Sequence, residues 1–374
     1  MDPKDRPEEA RARAYHRRQL ALSLAGLTAA VTYLLFLIET RAAGHLIAWL
    51  GQWSSRWWLQ LALALLVLAA GHRLLTLPLA WLGGFWLPRR YGLLHQPFGR
   101  WLLDAVKAAL LAGGLGLLAA VVVYGLMRVT PWWWLWGAAV FLAGYTFLAL
   151  VAPIWLVPLF YRLTPLPDGP LKSRLLALAG RVGVPVTGIW VVDQSRKSRT
   201  ANAAVTGLGR TRRILLFDTL LNEFTPDEVE AVVAHELAHQ LHGDARRGVL
   251  VQGALTLVTF RVADGALRVG AGLLGLEGPA DIAGLPLFGL VLLGVSLGAL
   301  PVANGWSRHV ERQADRFALE TIPDPGAFIG AMVRLATLNL AELDPHHLEE
   351  FFFYSHPAIG RRIAHARQFL HSLT

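Results

Sequence analysis

The chain has 374 residues, 54% hydrophobic and only 16% charged, where a soluble domain carries about 25% charge; this composition and a mean hydropathy of +0.43 exclude an ordinary soluble globular protein. The net charge of +9 comes mostly from arginine, and these bases flank apolar runs instead of clustering on one polar domain, which excludes a nucleic-acid binder. Cysteine is absent, so there is no disulfide framework, thiolate metal site or cysteine nucleophile.

Residues 1–19 are basic (Lys4, Arg6, Arg11, Arg13, Arg17, Arg18), and no cleavable signal follows them. Six apolar stretches then reach the roughly 20 residues that a helix needs to cross a bilayer: 20–39, 57–81, 102–127, 133–160, 248–276 and 285–304. Several of the 14 tryptophans stand near their ends, at the depth of the membrane–water interface. Arg89, Arg90 and Arg100 lie between the second and third stretches, whereas the fifth and sixth are joined by Glu277 and Asp281 with no base. The asymmetry predicts a cytosolic amino terminus and cytosolic polar segments at 161–247 and after residue 305. Ionisable residues fall inside the spans: His72, Arg73, Asp104, Lys107, Arg261, Asp264 and Arg268. Charge at that depth faces the bundle interior or snorkels to a span end; Asp104 and Lys107, one turn apart, suit an internal pair.

After the fourth span the turn-rich 165–170 segment leads to a polar region. Residues 172–182 read as a helix, and 188–192, 202–208 and 213–217 as short strands. The chain thus divides into 1–160 (four spans), 161–247 (first part of a polar domain), 248–304 (a two-span hairpin) and 305–374 (its second part). The fold class is a mainly α-helical polytopic membrane protein with a cytosolic α+β domain.

The chemistry centres on His235-Glu236-Leu237-Ala238-His239. Thr225, Pro226 and Glu228 supply an N-cap, a first-turn proline and a capping box, so the motif sits on a helix. His235 and His239 then share one face and can hold one Zn²⁺, while Glu236 can take a proton from a zinc-bound water. A zinc hydrolase needs a third ligand and an open position. Glu311 is the best candidate, and Asp315, one turn later, can accept the free ring N–H of a ligand histidine. His309 and His242 are weaker competitors by spacing. Tyr354-Ser355-His356-Pro357, followed by Arg362, offers a histidine and an arginine for a developing oxyanion; Ser355 as a helix cap would leave His356 unexplained.

These motifs resemble the type I CAAX prenyl protease family, which includes the heat-shock membrane metalloproteases. The resemblance runs from about residue 76 onward. It takes in Leu77-Pro78, Tyr91-Gly92 and Gln96, the Pro158-Leu159-Phe160 and 164–169 linker, Asn202-Ala203 with Gly207, residues 216–221, and the segments around Glu311 and His356. It implies that His235, His239 and Glu311 are zinc ligands, Glu236 the base, Asp315 their support, and His356 and Arg362 transition-state groups. It also implies that Asn202 and Ala203 lie on an edge strand that pairs with an extended peptide, and that the bundle encloses a water-filled chamber. Eukaryotic members usually have seven spans; six are counted here. The expected activity is a zinc endopeptidase at the cytosolic face of a bacterial inner membrane, with peptides, membrane proteins and the lipid bilayer as partners. A site-2-type protease would draw its third ligand from Asp264-Gly265 or Asp168-Gly169, and a silent scaffold or transporter would need none of the set.

Overall fold

The computed structural model describes residues 6–207 and 209–373; Lys4 of the basic amino-terminal cluster, Leu208 at the end of one expected strand, and Thr374 lie outside them. Among the described residues, six helices are long and apolar enough to cross a membrane. The amino-terminal half comprises α1 (Arg6–Glu39), the short α2 (Ala42–Gly51), α3 (Trp57–Arg90), α4 (Phe98–Val129) and α5 (Trp133–Phe160). Near their carboxyl ends α3 and α5 each contain a five-residue π-helical turn, at Leu82–Trp86 and Ala152–Leu156.

Helices overrun the apolar stretches because polar residues at their ends find partners. The polar turns of α1 continue the helix and pack on later segments: Arg11 donates to the Tyr91 carbonyl at 2.7 Å, and His16 Nε2 lies 3.0 Å from the Leu340 carbonyl. Asp104, expected to pair with Lys107, lies 3.9 Å from it but only 2.7 Å from Lys197 and from the Gln96 amide. The nearer cation comes from the polar region, so this carboxylate joins bundle to domain.

The polar region opens with β1 (Leu163–Pro165), α6 (Pro170–Arg181), β2 (Ile189–Val192), β3 (Ala203–Thr206) and β4 (Arg213–Phe217). The sheet order is β1-β2-β4-β3, leaving β1 and β3 at the edges. β4 runs parallel to β2 and antiparallel to β3; its Ile214, Leu215 and Leu216 are buried, as in a central strand covered on both faces. β3 alternates buried and half-buried residues. Gly207 turns the chain after β3 at φ +90°, where a Cβ would lie 2.5 Å from the Thr211 carbonyl oxygen. β1 falls within a segment read from sequence as linker; ending in proline, it is tolerated at an edge.

Next come α7 (Asp218–Glu223) and α8 (Pro226–His242). The capping box of α8 forms: Glu228 N–H donates to Thr225 Oγ1, and Thr225 N–H to Glu228 Oε2 at 2.8 Å. Such a cap stabilises a helix by about 1 kcal/mol. α8 is buried almost all round, against α6, the sheet and α11 (below). Its buried Glu230 receives Arg174 and Arg181, which offset the cost of enclosing the charge. Gly243, in the left-handed region at φ +68°, ends α8 and turns the chain directly into α9 (Asp244–Leu274). α10 (Leu285–Thr321) returns as a helix of 37 residues containing Pro301. Then α11 (Pro325–Asn339), α12 (His347–Phe353) and α13 (Ile359–Leu373) close the domain core, with Phe328, Ala331 and Ala366 against Leu175, Ile214, Leu216 and Leu237.

At the far end of the bundle Asp264 is buried. It accepts Trp133 Nε1–H at 2.8 Å, and both its oxygens accept Arg268 Nε–H at 3.0 Å. Arg268 is therefore a partner of Asp264, and this aspartate is already committed within the bundle. Replacing Asp264 with Ala leaves a buried indole N–H without its acceptor and a half-exposed arginine without its counter-ion. We expect a loss of about 1–3 kcal/mol, measured as a lower melting temperature in detergent. Metal content is expected to stay unchanged; its loss would return Asp264 to the candidate ligands.

Candidate active site

α8 carries His235 and His239 one turn apart, and α10 brings Glu311 against them. His235 Nε2 and His239 Nε2 lie 3.3 Å from each other. Glu311 Oε2 is 3.2 Å from His235 Nε2, and Glu311 Oε1 is 3.5 Å from His239 Nε2. One ligand atom from each residue lies within 4.8 Å of the others. The opposite ring nitrogens are spoken for: His235 Nδ1 faces Asp315 Oδ1 at 2.9 Å, and His239 Nδ1 faces Asp244 Oδ2 at 3.0 Å. Two Nδ1–H groups held by carboxylates turn both Nε2 atoms toward one point, each a lone-pair donor once its ring is neutral. Glu311 Oε2, although buried, has no hydrogen bond. Such a convergence of acceptors is favourable only around a positive charge. Burial disfavours the His235 imidazolium, but Asp315 and Glu311 outweigh burial and raise its pKa to about 9. The donor set, two imidazoles and a carboxylate, fits a divalent metal ion, and zinc in particular by ligand type.

The remaining predicted residues divide by placement. Glu236 is half-buried beside His235, with no hydrogen bond to its carboxylate among the described residues; burial pushes its pKa up. His356 Nε2 is 3.4 Å from Glu311 Oε1, on a side chain that is 60% exposed, so it stands at the open rim of the cluster. Burial holds its pKa down. Ser355 Oγ pairs with His356 Nδ1 at 3.0 Å, and α13 starts only at Ile359, so this serine orients the histidine and caps no helix. Arg362 is buried behind the cluster: its Nε donates to Asp315 Oδ2 at 2.8 Å and its Nη2 to Oδ1. Burial opposes its charge, but Asp315 more than compensates and raises its pKa. Arg362 thus grips the carboxylate that orients His235, and its Nη2 also lies 3.4 Å from His235 Nδ1. Asn202 and Ala203 lie at the start of edge strand β3. His309 faces outward to Gln313 and His242 packs on Phe317; neither joins the cluster.

Four contributors escaped the sequence. Asp244 is five residues from His239, not a helical spacing; its only signal was Gly243, whose left-handed turn folds the first residue of α9 back on the histidine. Gln240 donates to the Val205 carbonyl at 3.0 Å and accepts from Arg212, fastening α8 to β3; its place one turn after Glu236 was the available cue. Arg308 donates to the carbonyls of Glu350 at 2.8 Å and Tyr354 at 2.6 Å, and Glu350 accepts the Ala358 N–H at 3.2 Å. Together they fix the segment that bears His356.

Comparison with known proteins agrees with this geometry. Residues 165–370 match the model of peptidase family M48, and residues 5–162 match that of the CAAX prenyl protease N-terminal region, described as five membrane helices. Here that stretch holds four long apolar helices and the short α2. The chain is 31% identical to an uncharacterized metalloprotease, YhfN, of Bacillus subtilis, over 81% of this chain and 72% of that one. It is 30% identical to CAAX prenyl protease 1 of Saccharomyces cerevisiae, over 79% and 70% respectively. The crystal structure of S. mikatae Ste24p superposes with a TM-score of 0.85 at 25% identity, covering 96% of this chain and 89% of that one. With a His-His-Glu cluster on the helices that the family model spans, and with the membrane helices preceding it, the chain belongs to peptidase family M48, as an integral-membrane metallopeptidase of the CAAX prenyl protease type.

Proposed function

We propose that the protein is a zinc-dependent endopeptidase that hydrolyses peptides or membrane proteins at the cytosolic face of a bacterial inner membrane. The observation that carries this reading is the convergence of two imidazole Nε2 atoms and a buried Glu311 carboxylate on one point. One Zn²⁺ is held by His235, His239 and Glu311. When bound, zinc supplies a Lewis acid that lowers the pKa of water towards about 7. Glu236, uncommitted and adjacent, accepts the proton of the attacking water and passes it to the leaving amine. His356, at the open rim, donates to the developing oxyanion. Asp244 and Asp315 hold the ring tautomers, and Arg362 positions Asp315.

Substrate pairs as an added strand with β3. The Asn202 carbonyl accepts from Phe217 N–H on β4, so alternation turns the backbone groups of Ala203 and Val205 away from the sheet. Asn202 Oδ1 already takes the Ala203 N–H, and Gln240 the Val205 carbonyl. The Ala203 carbonyl and the Val205 N–H remain for an extended peptide, which explains broad tolerance of side chains. The protease domain is split between 161–247 and 305–374 by the 248–304 hairpin and follows the 1–160 membrane region. Arg11 to Arg18, Arg89, Arg90 and Arg100 put its side in the cytosol, and Glu277 and Asp281 put the opposite end outside.

Removing Glu311 by Ala is expected to abolish zinc retention with helical content intact, whereas Glu236→Gln is expected to keep the metal and lose about 10²- to 10⁴-fold in turnover. Full zinc occupancy in the first variant, or near-normal turnover in the second, would remove that residue from its role.

Ground-state pairing and oxyanion donation separate kinetically. Proline at Ala203 should mainly raise KM, and phenylalanine at His356 should lower kcat by about 10²-fold or more. Unchanged kcat in the His356 variant leaves it a purely structural residue.

Orientation is open to labelling because the natural chain has no cysteine. Asp168, with a side chain 98% exposed, is replaced with Cys. Reaction with an impermeant maleimide is expected only after the cytosolic side is opened; labelling of intact cells would invert the topology.

A further inference from the structure

A cavity of about 520 Å³ opens where α10, α12 and α13 meet, lined by Asp315 but by none of the metal-ligating residues. Four arginines, Arg308, Arg312, Arg361 and Arg362, share it with only two carboxylates, Asp315 and Glu350. Arg362 is committed to Asp315 and Arg361 to Glu350 at 2.9 Å. Arg308 is spent on main-chain carbonyls, which leave its charge unneutralised. Arg312 is exposed and makes no hydrogen bond or ion pair among the described residues. The cavity is thus net cationic, with one guanidinium unengaged, and guanidinium forks suit phosphate oxygens.

Its height in the molecule is fixed by α10. Asn304, the last residue of the apolar run, donates to the Phe352 carbonyl at 2.6 Å, and Arg308, one turn on, binds the Glu350 carbonyl at 2.8 Å. A turn rises about 5.4 Å, so α12 lies across α10 within one turn of the end of the apolar run. Leu348, Phe351 and Phe352 stand at i, i+3 and i+4 on one face of α12 and are 63%, 48% and 40% exposed. Phe351 also lines the cavity. An exposed apolar face at headgroup depth, joined to a cationic cavity by a shared residue, matches a phospholipid in both halves.

We infer that this cavity holds the phosphate headgroup of an anionic phospholipid from the leaflet in which α10 ends, with the Leu348–Phe351–Phe352 face set into the lipid beneath it. The inference rests on the chain crossing a membrane and is independent of the peptidase reading.

The test uses the full chain in detergent titrated with phosphatidylglycerol or phosphatidylcholine, with bound lipid counted by native mass spectrometry. Phosphatidylglycerol is expected to be retained and phosphatidylcholine not. Arg312→Gln with Arg361→Gln should weaken retention about tenfold or more, and Arg312→Gln alone, at an exposed position, should weaken it measurably if the double variant folds poorly. Arg367→Gln, an exposed arginine outside the cavity, should change it less than about twofold. Equal retention by the cavity variants, or an equal loss with Arg367→Gln, overturns the site. Displacement of phosphatidylglycerol by inorganic phosphate at matched concentration would make it a soluble-anion site and overturn the lipid assignment. In nanodiscs, a fluorophore on Leu348→Cys should be quenched by headgroup-level spin-labelled lipid. Quenching no greater than at Asp168→Cys, or quenching relieved by an apolar peptide, would overturn the membrane contact, the latter by assigning the face to substrate.

Discussion

Two imidazole nitrogens 3.3 Å apart stay aimed at one point because each ring is held from behind. Two carboxylates do that holding, from opposite ends of the chain's path through the bundle: Asp244 at the start of α9 and Asp315 near the end of α10. Everything else around the cluster can be read as support for those anchors. Gly243 permits the turn that returns Asp244 to His239, and Arg362 offsets the buried charge of Asp315 with a two-point contact. A metalloenzyme centre of this kind is therefore aimed before any ion arrives: the carboxylates fix each ring in place, and the proton on His235 leaves as the ion takes its position.

The same anchors explain why the protease fold tolerates interruption by two membrane helices. Asp244 opens α9 and Glu311 and Asp315 lie near the end of α10, so the hairpin is tied at both ends into the site it interrupts. On the amino-terminal side the ties are both polar and apolar: Lys197 with Asp104, His16 near the Leu340 carbonyl, a β-bridge between Leu94 and Ser198, and Leu340 packed with Ala12, Leu87, Tyr91 and Leu93. Ala12 and His16 place the first turns of α1 against the protease region, so the basic amino-terminal run is also a packing element.

The legibility of this molecule in its sequence follows the range of the interactions. The spans could be read because bilayer thickness imposes a length on an apolar run, and α8 because its cap, proline and histidine spacing are all local. Glu311 and Asp315 were found through helical spacing together with the family resemblance. What stayed hidden depended on partners far along the chain: Lys197 lies 93 residues from Asp104, and Asn304 lies 48 from Phe352. β1 was missed because three residues ending in proline carry no periodicity. The contact of Arg362 with Asp315 could not be read because sequence gives a residue's type but not which way it faces.

α10 is one rod of 37 residues, spanning the bilayer at one end and presenting Glu311 at the other. Glu311 stands seven positions past Asn304, about 10 Å along the axis. A helix that leans by about 10° to match a thinner hydrocarbon layer swings a point that far out by about 2 Å, more than a metal site tolerates in a ligand. Bilayer thickness is in this sense a mechanical load on the coordination geometry. Pro301, which lacks an N–H and so breaks the hydrogen-bond ladder, stands within a turn of Asn304. The lever has its joint at the membrane boundary, where bending can absorb the lean of the span before it reaches the metal ligand.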